Sequence, residues 1–174
     1  MNVKKYLLVI ATLVCTVAAF AYPAPQDDDP VNPLVQQYAA QAQELQKTFE
    51  KNLLPVLKDT AQLALQIQRE NPTELSSQQE AQFTHYANKI DAVLTQLVAP
   101  VIKEINLEQF NQEYEKMSQG YNLPKQHFTE ESLTDLFKGA YLISAIAYFE
   151  QTQKLSEDEL TVLMELLFPQ EEEK

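Results

Sequence analysis

Two glycines, Gly120 and Gly139, are all that 174 residues contain, and that scarcity restricts the fold before any pattern is read. Phosphate-cradling loops, dinucleotide-binding turns and the tight left-handed turns of most β folds need glycine at fixed places. What remains is a chain of helices. Apolar residues recur in steps of three and four through Tyr38, Ala42, Leu45, Phe49, Leu53, Val56, Thr60, Leu63 and Ile67, a period of roughly 3.6. Asn32-Pro33 suits a helix start, and Asn71-Pro72 suits its end. A second stripe runs through Phe83, Ala87, Ile90, Leu94, Leu97, Val101 and Ile105, then Phe110 and Tyr114. It predicts one long helix from Ser76 or Ser77 to Gln119, stopped by Gly120 and Pro124.

Each long helix holds a proline, Pro55 and Pro100, with no turn residues beside it and no loss of stripe phase. A kink is expected at each rather than a break. The two prolines share a context: Leu54-Pro-Val-Leu-Lys-Asp59 resembles Ala99-Pro-Val-Ile-Lys-Glu104. Duplication and chance both explain that similarity. A third helix is expected from Thr129 to about Gln153, and its stretch Gly139–Phe149 is polar only at Ser144. That stretch is too short to span a bilayer and reads as the centre of the fold. A short fourth helix covers Glu157 to Phe168. The expected class is therefore all-α: a bundle of two long, Pro-kinked helices with a shorter C-terminal helical hairpin.

Three helix starts repeat one arrangement, at Leu75-Ser-Ser-Gln-Gln79, Phe128-Thr-Glu-Glu-Ser132 and Leu155-Ser-Glu-Asp-Glu159. An apolar residue, a hydroxyl and then Gln or Glu form a hydrophobic staple with a capping box, and the middle case lacks the third member. Helical periplasmic chaperones carry a similar L-T-x-x-Q repeat, but they are richer in Arg and Met. Arg69 is the single arginine here, and capping accounts for the pattern locally.

The N-terminus points to export. Lys4 and Lys5 precede an apolar run from Tyr6 to Phe20 that closes on Ala19-Phe20-Ala21, a small-residue cleavage pattern. Residues 1–21 are read as a cleaved signal peptide, leading to a periplasm or to the outside of the cell. The rest divides into a flexible acidic, Pro-rich leader over 22–32, one helical domain over 33–168 and an acidic tail over 169–174. Removing the two lysines takes the formal charge from −12 to −14.

Little of the chemistry-bearing inventory survives this reading. The single cysteine, Cys15, lies in the signal, which leaves no disulfide, thiolate metal site or thiol nucleophile. The two histidines, His85 and His127, lack the spacing of di-iron or zinc-protease motifs. Carboxylate runs have no alternating ligand pattern or Gly turn for calcium, and no local signal selects a catalytic pair. No catalytic, metal or cofactor residue is expected, and the chain is read as not an enzyme. A strong negative charge argues against nucleic acid.

Acid concentrates toward the C-terminus, where residues 121–174 hold 4 basic and 11 acidic residues. A solvated face explains this, and so does docking of a basic protein. The fourth helix is apolar over most of its circumference. The candidate partner surface comprises Glu130, Glu131, Asp135, Glu157, Asp158, Glu159, Leu163, Leu166 and Leu167, an apolar centre with a charged rim. Enclosure within the fold is the competing explanation. The expected function is non-catalytic binding of another protein, of inhibitor, immunity, chaperone or adaptor type. Binding to a lipid surface is the alternative, and a small enzyme comes third.

Overall fold

The computed structural model describes residues 43–70, 74–121 and 124–168. The signal peptide, the acidic leader, the Asn32-Pro33 start, the Asn71-Pro72 stop and the tail lie outside the described residues. Within them the chain is all-helical, with no strand. The five α-helices are α1 (Leu54–Glu70), α2 (Ser77–Glu104), α3 (Leu107–Tyr121), α4 (Glu130–Gln151) and α5 (Glu157–Leu167). Helix packs against helix in two compact units. One comprises residues 94–144. Of the described residues, the other comprises 43–70, 74–93 and 145–168.

The second unit contains α1, which enters from helical residues 43–48 through a wide π turn at Phe49–Leu53. The amide of Leu54 donates to the carbonyl of Phe49, five residues back instead of four. Pro55 follows at once. Its ring would crowd the carbonyl four residues earlier, and it has no N–H to give, so a widened turn relieves both conflicts without ending the helix. The extra residue moves the apolar stripe by one position. Phe49, Leu53 and Thr60 are buried as expected, but the other buried residues are Leu57, Ala61 and Ala64, with Val56, Leu63 and Ile67 only half covered. Thr60 hides its hydroxyl by donating to the carbonyl of Val56 at 2.7 Å.

Onto this face come Phe149 of α4, edge-on to Phe49 with centroids 6.5 Å apart, and α5, which packs along α1. Ile146, Leu155, Val162 and Leu163 are buried in the same unit. No residue from Gly139 to Phe149 is exposed, in keeping with a helix segment that is apolar nearly all round. The end of α4 is shut by Gln153, whose φ is 54°. This lets Lys154 N–H reach the Phe149 carbonyl at 2.8 Å and Gln153 N–H reach that of Glu150 at 3.0 Å, the paired bonds of a left-handed helix stop.

The unit of residues 94–144 corrects one expectation. The predicted helix from Ser77 to Gln119 is two helices, α2 and α3, parted at Ile105–Asn106. Pro100 lies inside α2, which continues to Glu104. Ile105 N–H then turns back to the Ile102 carbonyl at 3.2 Å, and Asn106 starts the next helix. Its side-chain oxygen accepts from Gln109 N–H at 3.0 Å, and its carbonyl accepts from Phe110 N–H at 2.9 Å. Asparagine competes with helix backbone in this way, which makes it a better cap than interior residue. The two similar hexapeptides therefore stand in different places, one opening α1 and the other closing α2.

Tyr114, Phe128, Leu133 and Leu136 form the core of this unit, with Ile102, Ile105, Leu107, Phe110 and Phe137 against it. Phe128 meets Tyr114 and Phe110 edge-on, with centroids 4.9 and 5.4 Å away. Asn111 holds it there. Its Oδ1 accepts from Phe128 N–H at 2.7 Å and its Nδ2 donates to the Phe128 carbonyl at 2.9 Å, so one side chain pairs both backbone groups as a neighbouring strand would. Tyr114 hydroxyl fixes the other end of the loop by donating to the Pro124 carbonyl at 3.1 Å.

Capping explains the three repeated starts, with two amendments. Ser76 with Gln79, and Ser156 with Glu159, make reciprocal boxes. Thr129 makes one too, because Ser132 takes the third role: Thr129 N–H donates to its Oγ at 2.9 Å and Ser132 N–H returns to the Thr129 hydroxyl at 3.1 Å. Leu75, by contrast, is no staple. It is exposed, since the residue a staple would need at the fourth helical position is Glu80.

Candidate functional site

Helix α5 is organised by its start. The box between Ser156 and Glu159 fixes where the first turn begins, and at 100° per residue every later side chain has its bearing. Three arcs result. Glu159, Val162, Leu163 and Leu166 share one; Leu160, Met164 and Leu167 share the next; Glu157, Asp158, Thr161 and Glu165 fill the third. The first arc is the core arc, with Val162 3% and Leu163 0% exposed. Only its last member, Leu166, is open at 43%. The second arc is apolar and only partly covered: Met164 is 46% exposed, and Leu160 and Leu167 are half-buried. The third carries exposed carboxylates.

These positions sort the expected surface residues. Leu163 belongs to the interior and presents nothing to a partner. Glu159 spends its carboxylate on Ser156 N–H and Oγ, at 2.8 and 3.1 Å. Glu157, Asp158, Leu166 and Leu167 remain at or near the surface of α5. Glu130, Glu131 and Asp135 are exposed on the first turns of α4, where acids complement the helix dipole, and they belong to the unit of residues 94–144. Leu160 and Met164, apolar positions of this helix outside the expected set, lie on the same arc as Leu167. Their spacing with Leu167 is a readable signal once the core arc is known.

A second cluster joins residues 98 and 104 positions apart. Glu50, in the wide turn before α1, accepts from the Tyr148 hydroxyl at 2.5 Å and pairs with Lys154 at 2.7 Å. The hydrogen bond and charge of Lys154, then the Tyr148 hydroxyl, hold the Glu50 carboxyl below its usual range. The Glu50 carboxylate, with some burial, pushes the Tyr148 phenol up to about 12. Both shifts give the fold a pH dependence of known sign. A lowered carboxyl stabilises above its ordinary value near 4.5 and loses that contribution as pH falls through the folded value. A raised phenol stabilises below its ordinary 10.0 and loses that contribution as pH rises from there toward about 12. An NMR titration resolving the Tyr148 ring should therefore show a midpoint near 12 that returns toward 10 in Glu50→Gln. An unchanged midpoint in that variant would refute the pairing.

A groove of about 500 Å³ lies on the other unit, between α3 and the segment before α4. Glu108, Gln112, Glu115, Lys125, Gln126 and His127 line it, a mixture of signs without a dominant charge. No cluster of three or more His, Cys, Asp or Glu side chains among the described residues is placed to hold a metal. No helix among them is long and apolar enough to cross a membrane. No known protein family, curated protein or solved structure matches the chain.

Proposed function

We propose that this is an exported, non-catalytic helical protein that binds another protein through α5. One observation carries the reading: an apolar arc, with Met164 exposed between half-buried Leu160 and Leu167, lies between the core arc of α5 and an arc of exposed carboxylates. Open apolar surface rimmed by charge is the usual make-up of a protein contact. Export rests on Lys4-Lys5, the apolar run and the Ala19-Phe20-Ala21 site, and leads to a periplasm or beyond. Bends at Pro55 and Pro100, and pairing of α4 with α5 as a hairpin, belong to the same proposal for the architecture.

The test is site-directed photo-cross-linking from Thr161, an exposed position between the acidic side chains, in the exporting cell. A discrete protein adduct is expected, lost in Met164→Gln, with a melting curve within about 0.5 kcal/mol of the parent because the site is exposed. No adduct, or an adduct indifferent to Met164, would remove the reading. Flotation of the protein on liposomes, abolished by the same variant, would instead favour a lipid surface.

A further inference from the structure

We infer that the partner presents a single amphipathic helix with a basic flank, laid along α5. This rests on α5 as the docking element and names what fits it. Residues 160, 164 and 167 fall within about 60° of one another on the helix surface and span about 10 Å along its axis. That is the width and length of one ridge over two turns, which seats in the groove between side-chain rows of another helix. Met164 at its middle adapts its shape to what it meets.

The flanks decide the partner's charge. On one side of the ridge lies the core arc. On the other lie Glu157, Asp158 and Glu165, and α5 has no Lys or Arg of its own to neutralise them. A partner helix on the ridge therefore brings its own flank against three carboxylates. Lys or Arg there gains attraction and steering. A second copy of this chain would set acid against acid on a chain that already carries −12. Anionic lipid headgroups meet the same repulsion, and surface-lying helices ordinarily carry basic residues. An extended strand finds no free backbone edge on a helix.

The experiment uses the intact exported protein and three labelled peptides of about five turns. One is an amphipathic helix with a leucine face and lysines along one flank. In the second the lysines are glutamates, and in the third the leucines are serines. The lysine peptide is expected to bind and the other two to fail. Met164→Gln should weaken binding about tenfold, and so should raising salt well above the level at which surface charges are screened. Glu157→Gln with Glu165→Gln should slow association and leave melting unchanged. Equal binding of the glutamate peptide, or of the lysine peptide to Met164→Gln, overturns the inference. So does Met164-dependent flotation on zwitterionic phosphatidylcholine vesicles. If cross-linking from Thr161 finds a protein that the lysine peptide cannot displace, the helical, basic partner is wrong and the docking role of α5 stands. If both experiments are blank, both fail.

Discussion

Phe149→Ala is expected to lose about 3–5 kcal/mol of stability, the range for emptying a buried aromatic site. The side chain is 0% exposed, meets Phe49 edge-on across the entry to α1 and stands beside Tyr148 at 5.6 Å. Its backbone carbonyl receives Lys154 N–H in the turn that closes α4, so the ring and the turn that aims Lys154 at Glu50 share one residue. Alanine keeps the turn and removes the ring. A urea melt should show the midpoint falling with little change in slope. Phe149→Leu, which keeps most of the volume, should lose no more than about 1.5 kcal/mol. A loss as small in the alanine variant would mean that the surrounding helices close over the space.

Asn111→Ala should be nearly as damaging, for the opposite kind of reason. The carboxamide is a hydrogen-bonding adapter: it serves Phe128 N–H, the Phe128 carbonyl and the Leu107 carbonyl, the last at 3.0 Å. Removing it leaves the backbone of a residue that is 2% exposed without partners. Each buried unsatisfied group costs about 1–3 kcal/mol, so a loss of about 2–4 kcal/mol is expected. Amide exchange at Phe128 should accelerate well beyond what the global loss explains. Asn111→Asp retains the acceptor for Phe128 N–H but puts a carboxylate against two carbonyl oxygens, and it should rescue little.

Much of this architecture is readable in the residues because its determinants are local. The starts of α2 and α5 follow from a hydroxyl and a carboxamide or carboxylate three positions apart, that of α4 from two hydroxyls, Thr129 and Ser132, at the same spacing, and the Gly139–Phe149 segment from its composition. Even the missed break between α2 and α3 has a local mark, Asn106-Leu-Glu-Gln109, an asparagine cap hidden inside an apolar stripe that kept its phase. The wide turn before Pro55 has no such mark. A proline inside a helix can be met by a kink, a lost hydrogen bond or a widened turn, and Pro55 carries no signal of which. The widened turn puts Leu57, Ala61 and Ala64 into the buried face one position beyond Val56, Thr60 and Leu63, of which only Thr60 stays buried. The Glu50–Tyr148–Lys154 cluster was equally out of reach, since no periodicity links residues so far apart in the chain. On α5 the composition revealed an excess of apolar surface, but which arc faces inward depended on packing along α1. The expected set accordingly included Leu163, which is interior, and omitted Met164, which is not.

The wide turn also changes what the chain can lose. Deleting a residue from mid-helix ordinarily rotates everything before it by about 100° and shifts it by about 1.5 Å, tearing one end of the helix from its neighbours. At Phe49–Leu53 the reverse holds. The turn already contains one residue more than an α-turn needs, and Asn52 within it is exposed. Excising Asn52 would convert the bond from Leu54 to Phe49 into an ordinary four-residue step and leave Phe49 facing Phe149 and Glu50 facing Lys154. The remaining conflict would be the ring of Pro55 against the tightened turn. This stretch is thus the place in the helix where a shortening of the gene by one codon is absorbed, provided that Pro55 is exchanged in the same step.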